Sequence, residues 1–174
     1  MPARFFAILL TIVLQPNVLQ WVAMIYKNSQ SIFIDFAGSL GIPLIAMIIF
    51  LKLKGIQNWY VIDRKDRVIP FIINLFCLGS LYAYHIDPQI LSILSLMILL
   101  SSISFVITLF WKISLHLIGY TAFIFLINPP IIYSPLYVCV GILLAWSRYY
   151  LKSHDVWQLA GGTLLSGIIS WYFL

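Results

Sequence analysis

Seven long apolar runs, separated by short polar segments, constrain the fold of this 174-residue chain more than any other feature. A helix needs about 20 apolar residues to cross a bilayer, and most of the runs approach that length. Because lipid cannot satisfy open backbone groups, and no alternating barrel pattern is present, each run is predicted to be a helix. The predicted runs are 4–26, 31–51, 70–85, 89–110, 115–128, 131–147 and 155–174.

The composition supports the same fold class. Hydrophobic residues make up 63% of the chain and charged residues only 9%, which lies outside the range of soluble globular domains. We therefore predict an all-α protein, a polytopic transmembrane helical bundle of six to seven spans in one domain, 1–174. No small-residue cleavage site follows the first apolar run, so we expect a retained span rather than a signal peptide.

The cationic side chains collect on one predicted face of the bundle. With seven spans, the loops at 52–69, 111–116 and 147–155 all emerge on the same side. The positive-inside rule then favours a cytoplasmic position for this face, while Lys27 lies on the other side. The cations of the shared face are Arg4, Lys52, Lys54, Arg64, Lys65, Arg67, Lys112, Arg148 and Lys152.

Two polar segments of this face carry side chains suited to an anion. Arg64 and Arg67 stand about one helical turn apart before an apolar run, and two guanidinium forks at that spacing can grip one phosphate. The same arginines also suit the headgroup region as helix anchors. Further along, Lys112, Ser114 and His116 stand at the start of the fifth run, where a histidine near hydrocarbon is either hydrogen-bonded structurally or functional.

A third polar segment, 147–158, is the most informative. Ser147 and Arg148 end one apolar run, and His154 and Gln158, at positions i and i+4, share a helical face at the start of the next. A helix N-terminus also offers free N–H groups and a positive dipole end to an anion. Two histidines extend the chemistry beyond binding, because a neutral imidazole can attack phosphorus while a protonated one donates to the leaving oxygen.

The third segment resembles a motif of the type 2 phosphatidic acid phosphatase superfamily, whose members are membrane lipid phosphatases. That motif is Ser-Arg, five residues, His, three residues, Asp. Ser147, Arg148 and His154 match it, and Gln158 occupies the position of the aspartate.

The other two motifs of the superfamily are matched in part. Ile113-Ser114-Leu115-His116 is similar to its Pro-Ser-Gly-His motif and keeps the serine and the histidine. The first motif, Lys, six residues, Arg-Pro, has an approximate counterpart at 63–70, where the arginines and a proline stand at different spacing. The resemblance covers 60–174 as a phosphatase-like core and leaves 1–59 as peripheral spans.

The resemblance implies a function and a set of roles. The protein would be a metal-independent, membrane-embedded hydrolase that removes phosphate from a phospholipid or isoprenoid phosphate or diphosphate. His154 would attack to form a phosphohistidine, and His116 would protonate the leaving alcohol. The residues implied to hold the phosphate are Arg148, Ser114, Lys112, Arg64, Arg67 and Ser147.

Gln158 is the main departure from the motif. A carboxylate at this position fixes the tautomer of the histidine and stabilises the imidazolium, whereas an amide fixes the tautomer but stabilises the charge far less. Neighbouring residues on a helix point about 100° apart, so Asp155, next to His154, is not expected to replace the missing carboxylate. We expect Asp155 instead to cap the helix start or to pair with a loop cation.

Alternatives from other classes remain open. Gln158 favours a non-catalytic lipid-phosphate binding or transport protein, whereas the presence of both His116 and His154 favours an enzyme, either a phosphatase or a lipid phosphotransferase. A magnesium-dependent prenyl or CDP-alcohol type transferase would use Asp63 and Asp66, but the fuller aspartate pattern of those families does not occur in the sequence. The expected partners are the membrane and a lipid phosphate, with no cofactor and no nucleic acid.

Overall fold

The computed structural model describes residues 2–27, 29–55, 64–127 and 135–174, with the side chains of Arg64 and Lys65 outside the described part. This part of the chain contains helices and no strand, so the all-α prediction is confirmed for it. The helices are α1 (Pro2–Val13), α2 (Pro16–Tyr26), α3 (Ile32–Phe36), α4 (Ile42–Leu53), α5 (Val68–Tyr84), α6 (Pro88–Phe110), α7 (Leu115–Ile127), α8 (Pro135–Tyr150) and α9 (Val156–Phe173).

Prolines account for two departures from straight helices. The first apolar run is divided into α1 and α2, which are bent by 48° at the break. Pro16 opens α2, where its missing N–H costs no helical hydrogen bond. In the second run a π-helical turn, Ala37–Gly41, joins α3 to α4, and Pro43 lies in the first turn of α4.

The apolar helices are consistent with a membrane protein. In the described part, Ile32–Leu53 and α6 are each long and apolar enough to span a bilayer, and the bent pair α1 and α2 makes a third candidate if it counts as one span. Helices α5 and α7 are apolar but shorter. Large apolar side chains on the outside, such as Phe76 (75% exposed) and Leu164 (63% exposed), fit a surface that faces lipid rather than water.

Two glycines let helices approach α7 closely near its start, next to the second polar segment. A Cβ on Gly119 of α7 would lie 2.7 Å from the Cβ of Pro16, and a Cβ on Gly162 of α9 would lie 2.7 Å from the carbonyl oxygen of Ser114. Any larger side chain would push α2 or α9 away from α7. These contacts fix the start of α7, which carries His116.

Candidate functional site

A tight turn after α8 brings Arg148 and His154 together. The Ser153 N–H donates to the Arg148 carbonyl at 3.0 Å, and the Lys152 N–H donates to the Tyr149 carbonyl at 2.9 Å. This pair of bonds is the Schellman pattern of a helix C-terminus, and Lys152 takes its left-handed position with φ 53°. The chain reverses there, so His154 lines the same cavity as Arg148.

The loop before α7 is held from two sides. The Ser114 N–H donates to the Gln158 carbonyl of α9 at 3.3 Å, and Nη1 of Arg67 donates to the Ile113 carbonyl at 3.2 Å. These bonds set the position of His116 in the first turn of α7. The Ser114 hydroxyl is fully buried and has no hydrogen-bond partner among the described residues.

The three predicted polar segments converge on one cavity of about 210 Å³. His116, His154, Arg67 and Arg148 all line it, together with Thr11 of α1. Nη1 of Arg148 donates to Oγ1 of Thr11 at 3.2 Å, and the imidazole of His116 lies close enough to Arg148 and His154 to interact electrostatically with both. Two imidazoles and two guanidinium groups therefore share a single small volume.

Gln158 holds the ring of His154 and is held in turn by Asp155. Nδ1 of His154 lies 3.0 Å from Oε1 of Gln158, and Nε2 of Gln158 donates to Oδ2 of Asp155 at 2.8 Å. Because a carboxylate only accepts, this second bond fixes which end of the amide faces the histidine. Nδ1 of His154 must then be the protonated nitrogen, which leaves the lone pair on Nε2.

Asp155 has a second role, at the start of α9. Its Oδ1 accepts from the Gln158 N–H at 2.8 Å, so the expectation that Asp155 caps this helix is confirmed. The carboxylate also reaches His154 indirectly, through the amide of Gln158. The far end of the amide that contacts His154 is therefore bound to a negative charge.

The charge state of His154 suits a nucleophile. His154 lies in the loop between α8 and α9, and burial, followed by the positive charges of Arg67 and Arg148, lowers its pKa to about 3. The hydrogen bond with Gln158 opposes this shift, while Lys112 adds to it. The imidazole is therefore neutral at pH 7, with its Nε2 lone pair available.

The remaining predicted site residues differ in their positions. Lys112 lies close enough to His154 for its positive charge to lower the pKa of that histidine. Ser147 is fully buried and donates its hydroxyl proton to the Leu144 carbonyl at 2.8 Å, a bond within α8. The side chain of Arg64 lies outside the described residues, so its predicted contact with phosphate stays a prediction.

The aspartates proposed for a magnesium site are only partly described. Asp63 lies outside the described residues, and Asp66 forms a salt bridge with Lys54 at 3.6 Å. In the described ranges no group of three His, Cys, Asp or Glu side chains could hold a metal ion.

Thr11 is a site residue that the sequence reasoning missed, because 1–59 was assigned to peripheral spans. Gln15, which immediately precedes α2, and Asn17 and Gln20 of α2 also line the cavity. The signal was present in the sequence: four polar residues interrupt an otherwise apolar run, and polar groups inside a span usually face a cavity or the bundle interior.

Comparisons with known proteins place the chain in no family. It matches no protein-family model, and no curated protein or solved structure is significantly similar to it. The resemblance to the type 2 phosphatidic acid phosphatases is therefore carried by the quoted motif residues alone.

Proposed function

We propose that the protein is a multi-pass membrane enzyme that hydrolyses a lipid phosphate or diphosphate, a divergent relative of the type 2 phosphatidic acid phosphatases. One observation carries the proposal: side chains from all three polar segments line one cavity, namely Arg67 from the first, His116 from the second, and Arg148 and His154 from the third. Guanidinium groups bind phosphate oxygens with charge-assisted bonds, and histidines supply both a nucleophile and an acid. This set of groups fits phosphoryl transfer better than binding alone.

In the first step, Nε2 of His154 attacks phosphorus and the bond between phosphorus and the alcohol oxygen breaks. Protonated His116 gives its proton to the leaving oxygen, so the lipid alcohol departs neutral. The negative charge of the bound phosphate favours the protonated form of His116, against the burial of its ring and the nearby guanidinium charges. Arg67 and Arg148 stabilise the charge spread over the phosphoryl oxygens in the transition state.

In the second step, water attacks the phosphohistidine while His116, now neutral, accepts a proton from it. The bond between Nε2 and phosphorus breaks and inorganic phosphate leaves. During both steps His154 carries a proton on Nδ1, which donates to Gln158, and Gln158 donates to Asp155. This chain orients the ring and stabilises its positive charge, although less than a directly bonded carboxylate would.

The rest of the cavity supports a lipid as the substrate. Beyond the charged end, the cavity is lined mainly by apolar side chains, among them Leu44, Met47, Phe71, Met97 and Leu100. An alkyl chain fits such a lining, while the phosphate meets the arginines. A small polar phosphate ester would leave these apolar groups without a partner.

A second candidate, a lipid-phosphate binding or transport protein, is favoured by Gln158, since the orienting group bonded to His154 is an amide rather than a carboxylate. Such a protein would use the same cavity and the same cations. It would bind a lipid phosphate but release no phosphate from it.

The test is release of inorganic phosphate by the purified protein from short-chain phosphatidic acid and from isoprenyl diphosphates. We expect release by the natural chain, with EDTA present, and none by His154→Asn. The matched control is His85→Asn, which replaces a histidine that does not line the cavity. The correctly folded fraction of this variant should keep activity. Tight binding of these lipids without release would favour the binding or transport protein, and loss of activity in EDTA would favour the magnesium-dependent transferase.

A further inference from the structure

Polar side chains continue along the cavity beyond the arginines and histidines. Gln20 of α2, Asn74 of α5, and Ser101 and Ser104 of α6 all line it. Asn17 donates to Asn74 at 3.2 Å, and Asn74 donates to Ser101 at 3.5 Å, so these three side chains are partners of one another. Gln20 and Ser104 are not part of this chain of bonds.

Gln20 and Ser104, which both line the cavity, each carry a buried hydrogen-bonding atom without a partner in the described part of the chain. Their exposures are 4% and 0%, and neither Nε2 of Gln20 nor Oγ of Ser104 has a hydrogen-bond partner within the described ranges. Leaving such a group buried and unpaired destabilises the protein, because the group has lost its hydrogen bonds to water. A ligand that brings a hydrogen-bond acceptor to this point recovers that free energy.

The two atoms lie deeper than the phosphate site. Ser104 precedes the end of α6 at Phe110 by six residues, or roughly 9 Å along the helix axis. Gln20 follows Thr11, the partner of Arg148, by nine residues on the bent pair of helices. The part of a lipid phosphate that reaches them is the region between its headgroup and its tail.

We infer that Gln20 and Ser104 form a second subsite, which binds the ester carbonyl of an acylglycerol phosphate. The inference rests on the proposed function, because it places the phosphate of the same lipid between Arg148 and His154. The amide N–H of Gln20 is a donor, and the carbonyl oxygen of an ester is the acceptor that it lacks. An isoprenoid phosphate carries no such group beyond its phosphate and would leave both side chains unpaired.

The experiment compares a short-chain diacylglycerol phosphate with the dialkyl ether lipid of the same chain length, which lacks only the carbonyl oxygens. Affinities are measured by competition against a labelled lipid phosphate, so they do not depend on turnover. We expect the natural protein to prefer the diacyl lipid by about tenfold, the equivalent of one hydrogen bond. In Gln20→Leu and in Ser104→Ala the preference falls towards one.

Thr108→Val is the matched control. Thr108 lies one turn beyond Ser104 on α6, and its hydroxyl is also buried and without a partner in the described chain, but it does not line the cavity. This variant should keep the preference for the diacyl lipid. Gln20→Leu removes an unpaired polar group and should therefore melt no lower than the natural protein, which separates loss of selectivity from loss of folding.

The outcomes are distinct. Equal affinity of the natural protein for the two lipids, or a preference that survives in both Gln20→Leu and Ser104→Ala, would overturn the subsite while leaving the phosphatase proposal standing. Failure of every lipid phosphate to bind would overturn both.

Discussion

His85 and His154 are both largely buried histidines, but they stand in opposite environments. Nε2 of His85 lies 2.6 Å from Oδ1 of Asp35, a fully buried carboxylate on α3. Ser29 donates to the other oxygen of Asp35, and Ser39 in the π-helical turn donates to its backbone carbonyl. The charged groups that lower the pKa of His154 are instead cations: Arg67, Arg148 and Lys112.

The difference separates a structural histidine, His85, from His154, which we propose to be functional. Around Asp35, every carboxylate oxygen has a partner inside the protein, and the cluster joins α3 to the end of α5 without need of a ligand. Around His154, cations and two imidazoles surround a cavity, and an anion that enters it gains their attraction. Four predictions test this contrast, ordered from the largest expected effect to the smallest.

Replacing Asp35 should damage stability rather than function. In Asp35→Ala the ring of His85 and the hydroxyl of Ser29 lose their buried partner, and we expect a loss of about 3 kcal/mol or more in unfolding free energy. Thermal unfolding in detergent measures this loss. The affinity of the folded fraction for vanadate or phosphate should not change, and a weakened affinity would mean that the two regions are coupled.

Replacing Arg148 should weaken anion binding rather than the stability of the fold. Buried charge-assisted bonds to an anion contribute about 1.5–3 kcal/mol each, so Arg148→Ala should weaken vanadate or phosphate binding by roughly 10- to 100-fold. Lys54→Gln, which removes a cation paired with Asp66, is the control and should bind as the natural protein does. Unchanged affinity in Arg148→Ala would assign Arg148 to membrane topology instead.

Acid should destabilise the protein through His154. Because the pKa of this histidine is lowered to about 3 in the folded state, the unfolded chain takes up a proton first as the pH falls below about 6.5. The stability present above pH 6.5 is therefore lost on acidification, by about 2 kcal/mol at pH 5. Comparing the pH dependence of unfolding in the natural protein and in His154→Asn isolates this contribution. Identical curves would contradict it.

The smallest expected effect concerns the link from Gln158 to Asp155. Asparagine caps a helix about as well as aspartate does, so Asp155→Asn removes the charge and keeps the cap. We expect the rate of phosphate release to fall by about tenfold, equivalent to 1.4 kcal/mol, with little change in melting temperature. A rate equal to that of the natural chain would show that the amide of Gln158 acts alone.

The sequence predicts the helices better than it predicts the site. The lengths of the apolar runs and the prolines are local features, so the bounds of α5 to α9 agree with the runs to within a few residues. Site contacts depend instead on long-range packing. Thr11 lies 137 positions from Arg148, its partner, and no local pattern indicates that pair.

Side-chain orientation limits the site prediction in the same way. Ser147 matches the motif by its letter, yet it bonds within its own helix. Gln158 stands at the motif position of an aspartate and therefore indicates that a negative charge is missing there. Its amide nevertheless bonds to the carboxylate of Asp155, because both residues lie at the start of α9. The motifs indicate His116, Arg148 and His154 correctly as residues of one cavity. These three side chains come together once the helices pack against one another.

The most direct test of the central claim is to trap the covalent intermediate. The protein is mixed with a short-chain lipid phosphate carrying radioactive phosphorus, quenched within the first turnover, and digested to locate the label. We predict an acid-labile, alkali-stable label on the peptide that contains His154, and none in His154→Asn. Release of phosphate with no labelled peptide, or with the label on His116, would contradict the assignment of His154 as the nucleophile.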